Sequence, residues 1–401
     1  MEGHGRQRRV GGQFGLAVVG LGEGKGLVKG LAGHPDLKVR VVCDLDAGLA
    51  ARTAAAYGVP RWTTSVEEAV AEPGVDIVCV YTPDSLHLAH IELALSASKH
   101  VICTKPLVNS LAEARRVVEL VEAHPGQRLM VGQSTRFFGP MQRQREALER
   151  GDLGELSFVE ASYVHDMRWF YGQRAWAREG EFDLVMACCS HPVDLARWHM
   201  GDVVEVHAYA DRSHVGAAAG FAGYDTFVVN LRFANGRIGR VLGLYGLEQP
   251  HALRPWIEVA LYGSKGTFVA SYPQLQAVVK LEGEVERQER YFEDVYHYFQ
   301  FEGVNHHAGE FVNYTEYFAR CLVEGEVPQP DAYDGFKTIA TLEAIRSSVR
   351  SGGPERVERL DAREPDVGSA TDPSAASSPG PGTASAHAPE AEPAGDAPTE
   401  R

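Results

Sequence analysis

The sequence contains no run of about 18 consecutive apolar residues, so it offers no transmembrane helix. Its opening, MEGHGRQRRVGGQ, is basic and lacks the apolar core of a secretory signal. Cysteine is scarce, with six in 401 residues and no C-x-x-C pair. Cys43, Cys79, Cys103, Cys188, Cys189 and Cys321 therefore read as buried, reduced thiols in a reducing, cytoplasmic compartment. Positive charge is in deficit: 39 basic residues stand against 54 acidic ones, a net −15. Such a field repels polyanions, which argues against nucleic acid and anionic membrane as partners. Large apolar residues all but vanish from Asp361, where SATDPSAASSPGPGTASAHAPEAEPAGDAPTER cannot offset its own ordering entropy. Residues 1–12 and 359–401 are expected to be disordered.

What remains, residues 13–358, is too long for most single cores. Its first third alternates strand-like and helix-like stretches. The strands are Phe14–Val19, Val39–Cys43, Asp76–Tyr81, His100–Cys103 and Arg128–Gly132, with helices such as Leu49–Tyr57 and Leu86–Ala97 between them. That order predicts βαβ units and a doubly wound parallel sheet over 13–135, an α/β Rossmann-type domain. After Gln133 strands follow one another: Ser157–His165, Val203–Asp211, Tyr224–Phe233, Arg237–Tyr245 and Trp256–Tyr262. Asn235-Gly236 supplies a type I′ hairpin turn between two of them. A C-terminal α+β domain over 136–358 is expected, with a large, mainly antiparallel sheet and helices Pro192–His199 and Gly309–Glu324 on one face. No repeat at solenoid spacing is present.

The first strand runs into Gly20-Leu21-Gly22-Glu23-Gly24-Lys25-Gly26 and then a helical stretch. Glycines in that context let the backbone turn tightly and approach a pyrophosphate seated on helix N-terminal amides. Lys25 stands where the usual G-x-G-x-x-G spacing has glycine or alanine. The second strand ends in Asp44, 24 residues after Gly20, where a carboxylate accepts from adenosine ribose hydroxyls and repels a 2′-phosphate. Gly20, Gly22, Glu23, Gly24, Lys25 and Asp44 are thus expected to hold a dinucleotide, NAD in preference to NADP. Arg52 lies too far along the next helix to argue for the phosphorylated form.

Three more stretches complete a pattern: Tyr81-Thr82-Pro83-Asp84-Ser85-Leu86-His87, Lys99-His100-Val101-Ile102-Cys103-Thr104-Lys105-Pro106-Leu107, and Ser190-His191-Pro192-Val193-Asp194-Leu195-Ala196-Arg197-Trp198. With the glycine loop, they resemble the glucose–fructose oxidoreductase/inositol dehydrogenase (Gfo/Idh/MocA) family over roughly residues 14–352. The resemblance implies an active site between the two domains. It places Thr82, Pro83, His87 and Lys105 at the cofactor. It also implies that the lysine of an E-K-P motif and the histidine of a D-x-x-x-H motif carry acid–base duty, here Lys105 and His191. Oxidising a carbinol calls for such a group, since the hydroxyl proton must leave as the carbon-bound hydrogen departs as hydride.

Two positions depart from the family pattern. Thr104 replaces the glutamate of E-K-P, and Ala187 replaces the aspartate four residues before His191. Asp194, one helical turn on, is the expected substitute partner for His191, with Asp183, Asp166 and His165 as alternatives. Gln133, Arg136, His165 and Trp176 join Lys105 and His191 as expected substrate contacts, Arg136 and His165 serving equally well as loop supports. Tyr163 and His307 are also expected to face the cleft. Trp169, Phe170, Tyr171 and Trp176 offer ring faces for a sugar to stack on, or close the domain interface. His87 and His90 have helical metal spacing, but no metal is expected. The functional expectation is hydride transfer to or from a secondary alcohol of a sugar or cyclitol. Redox-assisted glycoside cleavage and a silent NAD-binding sensor are the alternatives. By family analogy a homodimer or homotetramer is expected.

Overall fold

Gly20, Asp44, Thr82 and Lys105 sit together because each follows a strand of one parallel sheet at the same end. The computed structural model describes residues 10–168, 183–248, 256–291 and 309–360. The predicted tail from Asp361, together with Trp169, Phe170, Tyr171, Trp176 and His307, lies outside the described residues. The first domain runs β1 (Phe14–Val19), α1 (Leu21–Gly30), β2 (Leu37–Cys43), α2 (Ala47–Tyr57), β3 (Arg61–Thr63), α3 (Val66–Ala71), β4 (Ile77–Val80), α4 (His87–Ser96), β5 (His100–Thr104), α5 (Leu111–Ala123) and β6 (Leu129–Gly132). All pairings are parallel, in the order β3-β2-β1-β4-β5-β6. The order of strands reverses between β1 and β4, which opens a crevice at their carboxyl ends.

Local chemistry sets these boundaries. Asp46 caps α2 by accepting from Leu49 N at 2.9 Å, and Gly58 ends it at φ 67°. Ser110 caps α5 through Glu113 N, while the Glu113 carboxylate reaches back to Asn109 N at 3.2 Å. Val10, before the boundary expected at residue 13, is already buried, and its N–H donates to Asp36 Oδ2 at 2.9 Å.

The second domain follows α6 (Gly139–Glu149) and comprises β7 (Leu156–Val164), α7 (Ser190–Met200), β8 (Val203–Asp211), α8 (His214–Ala218), β9 (Thr226–Phe233), β10 (Ile238–Leu244), β11 (Ile257–Gly263), β12 (Gly266–Tyr272), β13 (Gln276–Leu281), β14 (Arg287–Arg290), α9 (Glu310–Glu324), α10 (Ala332–Ser351) and β15 (Glu355–Arg356). The sheet order is β14-β13-β12-β11-β7-β10-β9-β8-β15, antiparallel except for β10 with β7. Buried Gln144 donates to the carbonyls of Val259 and Phe268, both at 2.9 Å, and pins α6 to β11 and β12. Both sheets belong to one compact unit, Met1–Arg359.

One expectation about the helices is corrected. The stretch predicted as Gly309–Glu324 does form α9, but it packs on the Rossmann core and not on the antiparallel sheet. Phe311, Val312, Tyr314, Phe318 and Ala319 join the cluster of Leu16, Val18, Leu27 and Ile77. The missing side chain of Gly30 makes this possible, since a Cβ there would strike Val312. The face left open is filled by α10, which packs on β8, α5 and α7. No described helix is long and apolar enough to cross a membrane.

Candidate active site

The crevice deepens into a cavity of about 610 Å³ walled by the strand-end loops on one side and the second domain on the other. At its nucleotide end Gly20 has φ 88°, and a Cβ would lie 2.7 Å from the carbonyl group of Tyr81. Only glycine fits there. Gly22 lines the cavity, and a Cβ on it would meet nothing within 4 Å, so its bareness leaves the room a pyrophosphate needs over the start of α1. Glu23 is exposed at the same rim.

Gly24 and Lys25 are corrected as cofactor contacts. Gly24 is buried against β1, where a Cβ would meet Val18 Cγ1 at 3.0 Å, and Lys25 is exposed off the cavity wall. Close packing of helix on strand thus falls to Gly24, one position before the usual third glycine, which explains why lysine is tolerated at 25. Asp44 accepts from Leu21 N at 2.7 Å through Oδ2 and from Asp46 N at 2.9 Å through Oδ1. Two main-chain donors fix this carboxylate on the cavity wall beside the glycine loop. These residues fit a dinucleotide, and the group would be held by Gly20, Gly22, Asp44, Thr82 and Pro83.

His87 lines the cavity, and both of its ring nitrogens face main-chain carbonyls. Its Nε2 faces Thr82 O at 2.9 Å, and its Nδ1 faces the carbonyls of Pro106 at 3.0 Å and Leu107 at 3.1 Å. Burial is the largest influence and holds its pKa below the usual imidazole value. The ring ties the loop after β4 to the loop after β5, and so fixes Lys105 relative to Thr82. His90 spends its Nδ1 on Thr82 Oγ1 at 3.0 Å. Among the described residues no cluster of His, Cys, Asp or Glu is arranged to hold a metal.

At the other end, Lys105 from the first domain and His191 from the second line the same cavity. Lys105 Nζ donates to the main-chain carbonyl of Ala187 at 2.7 Å. His191 sits in the first turn of α7 with the Tyr163 ring edge-on at 5.7 Å. The Tyr163 hydroxyl lies 3.4 Å from His165 Nδ1, and the His165 ring stacks on Trp256 at 4.1 Å. Burial pushes the Tyr163 phenol up, and raises the Cys188 thiol to about 11 against the opposing pull of Lys105. Both stay protonated at neutral pH, which leaves Cys188 no role as a thiolate nucleophile.

Three expected contacts fall elsewhere. Asp194 does not serve His191: its oxygens accept from Arg136 Nε at 2.7 Å and Nη2 at 2.8 Å, and from Thr338 Oγ1 at 3.3 Å. Arg136 is thereby engaged with Asp194, and neither it nor Gln133 lies on the cavity wall. Asp183 is likewise occupied, by Val185 N and Arg346, while Asp166 pairs with Arg168 at 2.7 Å. In their place the wall presents Thr135, Phe138, Trp256 and Tyr272. Thr135 Oγ1 is buried with no partner among the described residues, a hydroxyl free for a ligand. Nothing in the sequence marks Trp256 or Tyr272, since only the pairing of β7 with β11 and of β11 with β12 carries them to the cleft.

A family model described as an oxidoreductase family NAD-binding Rossmann fold matches residues 14–133. Its companion, the C-terminal alpha/beta domain of the same family, matches residues 145–358. The chain belongs to the Gfo/Idh/MocA oxidoreductase family. Curated relatives include D-apiose dehydrogenase of Paraburkholderia graminis, 28% identical over 83% of this chain and 87% of that one. Inositol 2-dehydrogenase of Rubrobacter xylanophilus is 26% identical over 82% and 88%. Among solved structures, levoglucosan dehydrogenase in complex with NADH and levoglucosan superposes with a TM-score of 0.76 at 20% identity, over 87% of this chain and all of that one. That likeness bears on the fold.

For this Gfo/Idh/MocA member the fixed Asp44 carboxylate makes a direct prediction. A 2′-phosphate beside it adds like charge, worth on the order of 1–4 kcal/mol near a protein surface. Titration calorimetry is expected to show NAD(H) bound at least about tenfold more tightly than NADP(H), the factor corresponding to roughly 1.4 kcal/mol. Asp44→Ala should erase most of that gap. An unchanged preference in the variant would mean that another residue reads the ribose.

Proposed function

We propose that the protein is an NAD(H)-dependent dehydrogenase or ketoreductase acting on a secondary alcohol of a sugar, cyclitol or close derivative. The observation that carries this reading is that Lys105 and His191, from different domains, line one cavity with the glycine loop and Asp44. The balanced reaction converts a carbinol and NAD⁺ into a ketone, NADH and a proton. Bound NAD supplies the hydride acceptor. The chain supplies a lysine and an imidazole at the carbinol end, two groups able to take the hydroxyl proton or return it. The Trp256–His165 stack offers an apolar ring face of the kind that pyranoses and cyclitols pack on. Relatives named for D-apiose and inositol support the same class.

The test is a screen of sugars, cyclitols and simple glycosides for NADH formation, and of the matching ketones for NADH consumption. Accumulation of NADH on at least one ring alcohol is expected. Glycoside cleavage without net NADH would assign redox-assisted hydrolysis instead. Silence across the screen, with NAD binding intact, would count against the dehydrogenase reading and shift weight to a silent NAD-binding sensor.

We also read the chain as cytoplasmic and as a homodimer or homotetramer. Tyr209, Ile238 and Tyr262 are exposed, and the strand register puts all three on one face of the nine-stranded sheet. Such an apolar face is suited to a second copy. Light scattering should give a multiple of the 43.7 kDa chain mass. A monomer at micromolar concentration would end that reading.

A further inference from the structure

We infer that the main-chain carbonyl of Ala187 holds Lys105 in position for proton transfer, and that Pro192 keeps that carbonyl available. The inference rests on the reading of Lys105 as the proton-transfer lysine, and adds what positions it.

The stretch Val185–Cys189 is a single π turn leading into α7. In a π turn each carbonyl looks to the N–H five residues on. For Ala187 that residue is Pro192, which has no N–H. Proline at this point therefore removes the donor that the π register would have aimed at Ala187 O. The carbonyl turns its lone pairs to the cavity and accepts from Lys105 Nζ at 2.7 Å. The turn itself is anchored from behind. Asp183 Oδ1 accepts from Val185 N at 2.7 Å and Asp183 O from Ala187 N at 2.9 Å, while Arg346 of α10 donates to the other carboxylate oxygen.

An ammonium carries three N–H donors. With one spent on Ala187 O, two remain, and among the described residues neither meets a protein acceptor. Lys105 is thus held by a neutral group, and its free donors face the cavity that His191 also lines. A methyl side chain at 187 cannot compete with its own carbonyl for the lysine, so Ala187 and Pro192 work as a pair. Pro192 is a positioning residue: it touches the reacting atoms only through Ala187 and Lys105.

Pro192→Ala restores the missing N–H and should draw the Ala187 carbonyl back into the helix. The first measurement needs no substrate. The full chain is labelled briefly with acetic anhydride at neutral pH, and each lysine is read by peptide mass spectrometry. Lys105 should react about fivefold faster in Pro192→Ala, the equilibrium weight of one ordinary hydrogen bond. Lys99 is the internal comparator, because it too donates to a main-chain carbonyl, Val75 O at 2.8 Å, in the Rossmann domain. Its rate should stay unchanged. An unchanged Lys105, or Lys105 and Lys99 rising together, overturns the inference.

The second measurement uses a ring alcohol found by the screen. Pro192→Ala should lower kcat about tenfold, a share of what positioning supplies, with KM and NADH affinity within about twofold. In a Lys105→Met background the same change should cost nothing further. A loss of equal size in that background would make Pro192 merely structural. If no alcohol turns over, the proposed function fails, while the labelling result still decides whether Ala187 holds Lys105.

Discussion

Lys105→Met is expected to lower turnover by about 10²- to 10⁴-fold, the usual contribution of a positioned acid–base group. NADH affinity should change little. Methionine keeps the apolar stem and the packing, and removes only the Nζ that reaches from the end of β5 into the cavity. His191→Ala should fall in the same range, since its ring enters the cavity from α7 on the opposite domain. If the two groups share one proton, the double variant should be little worse than the poorer single one, because residues acting as a unit are not additive. Stopped-flow and steady-state rates on one substrate, beside calorimetric NADH binding, distinguish the cases. Full activity in both single variants would remove the mechanism. A loss of cofactor binding equal to the loss of turnover would move Lys105 into a purely nucleotide-holding role.

The parallel half of the fold was legible because βαβ units declare themselves locally. Phe14–Val19 and Val203–Asp211 match the observed β1 and β8 end to end, and the other expected strands fall within a few residues. Glycine and aspartate at strand ends then fixed the cofactor loop, since strand, tight turn and helix are adjacent in sequence. What was hidden is tertiary. Gly309–Glu324 reads as one more amphipathic helix, and nothing in its own residues tells that Phe311 and Phe318 belong to the Rossmann core; only the notch at Gly30 does. β14, the edge strand beyond β12 and β13, is exposed at every residue and carries no apolar alternation to announce it.

The site was half legible for the same reason. Lys105 and His191 come from motifs, whereas their neighbours come from chain segments far apart in sequence. Ala187 reads as a missing carboxylate partner of His191, with Asp194 as its substitute, and says nothing of what Lys105 meets. The acceptor on the lysine is a backbone atom, and the π turn that presents it has no sequence signature of its own. Arg136, after β6, reads equally as a hydroxyl-binding residue and as a loop support. Its fork in fact grips Asp194, while the preceding Ser134 and Thr135 line the cavity.

That grip sets the second large effect, which falls on stability. Arg136 and Asp194 keep only 5% and 1% of their side-chain surface exposed and meet in a two-point, fork-like pair. Removing one partner of a buried pair leaves the other charge stranded, at about 3–5 kcal/mol. Asp334, 3.4 Å from Arg136 Nη1, offers partial relief and argues for the lower end of that range. Asp194→Ala should therefore cost about 3 kcal/mol, a large part of the roughly 5–15 kcal/mol that keeps a protein folded. At roughly two to four degrees per kcal/mol for a domain of this size, Tm should drop by about 6–12 °C. Replacing both partners with apolar residues of similar volume, as in Arg136→Met with Asp194→Leu, should recover much of the loss, because no charge is then left buried alone. The consequence for catalysis is indirect. Asp194 lies one turn after His191 on α7, and Arg136 one residue after Thr135, so the pair locks the histidine-bearing helix to the loop after β6. Asp194→Asn should then shift Tm while leaving the pH dependence of the residual turnover in place. A moved pH profile with an unchanged Tm would return Asp194 to the role of proton partner for His191. A Tm change of less than about 2 °C in Asp194→Ala would show that the pair contributes little to holding the two elements together.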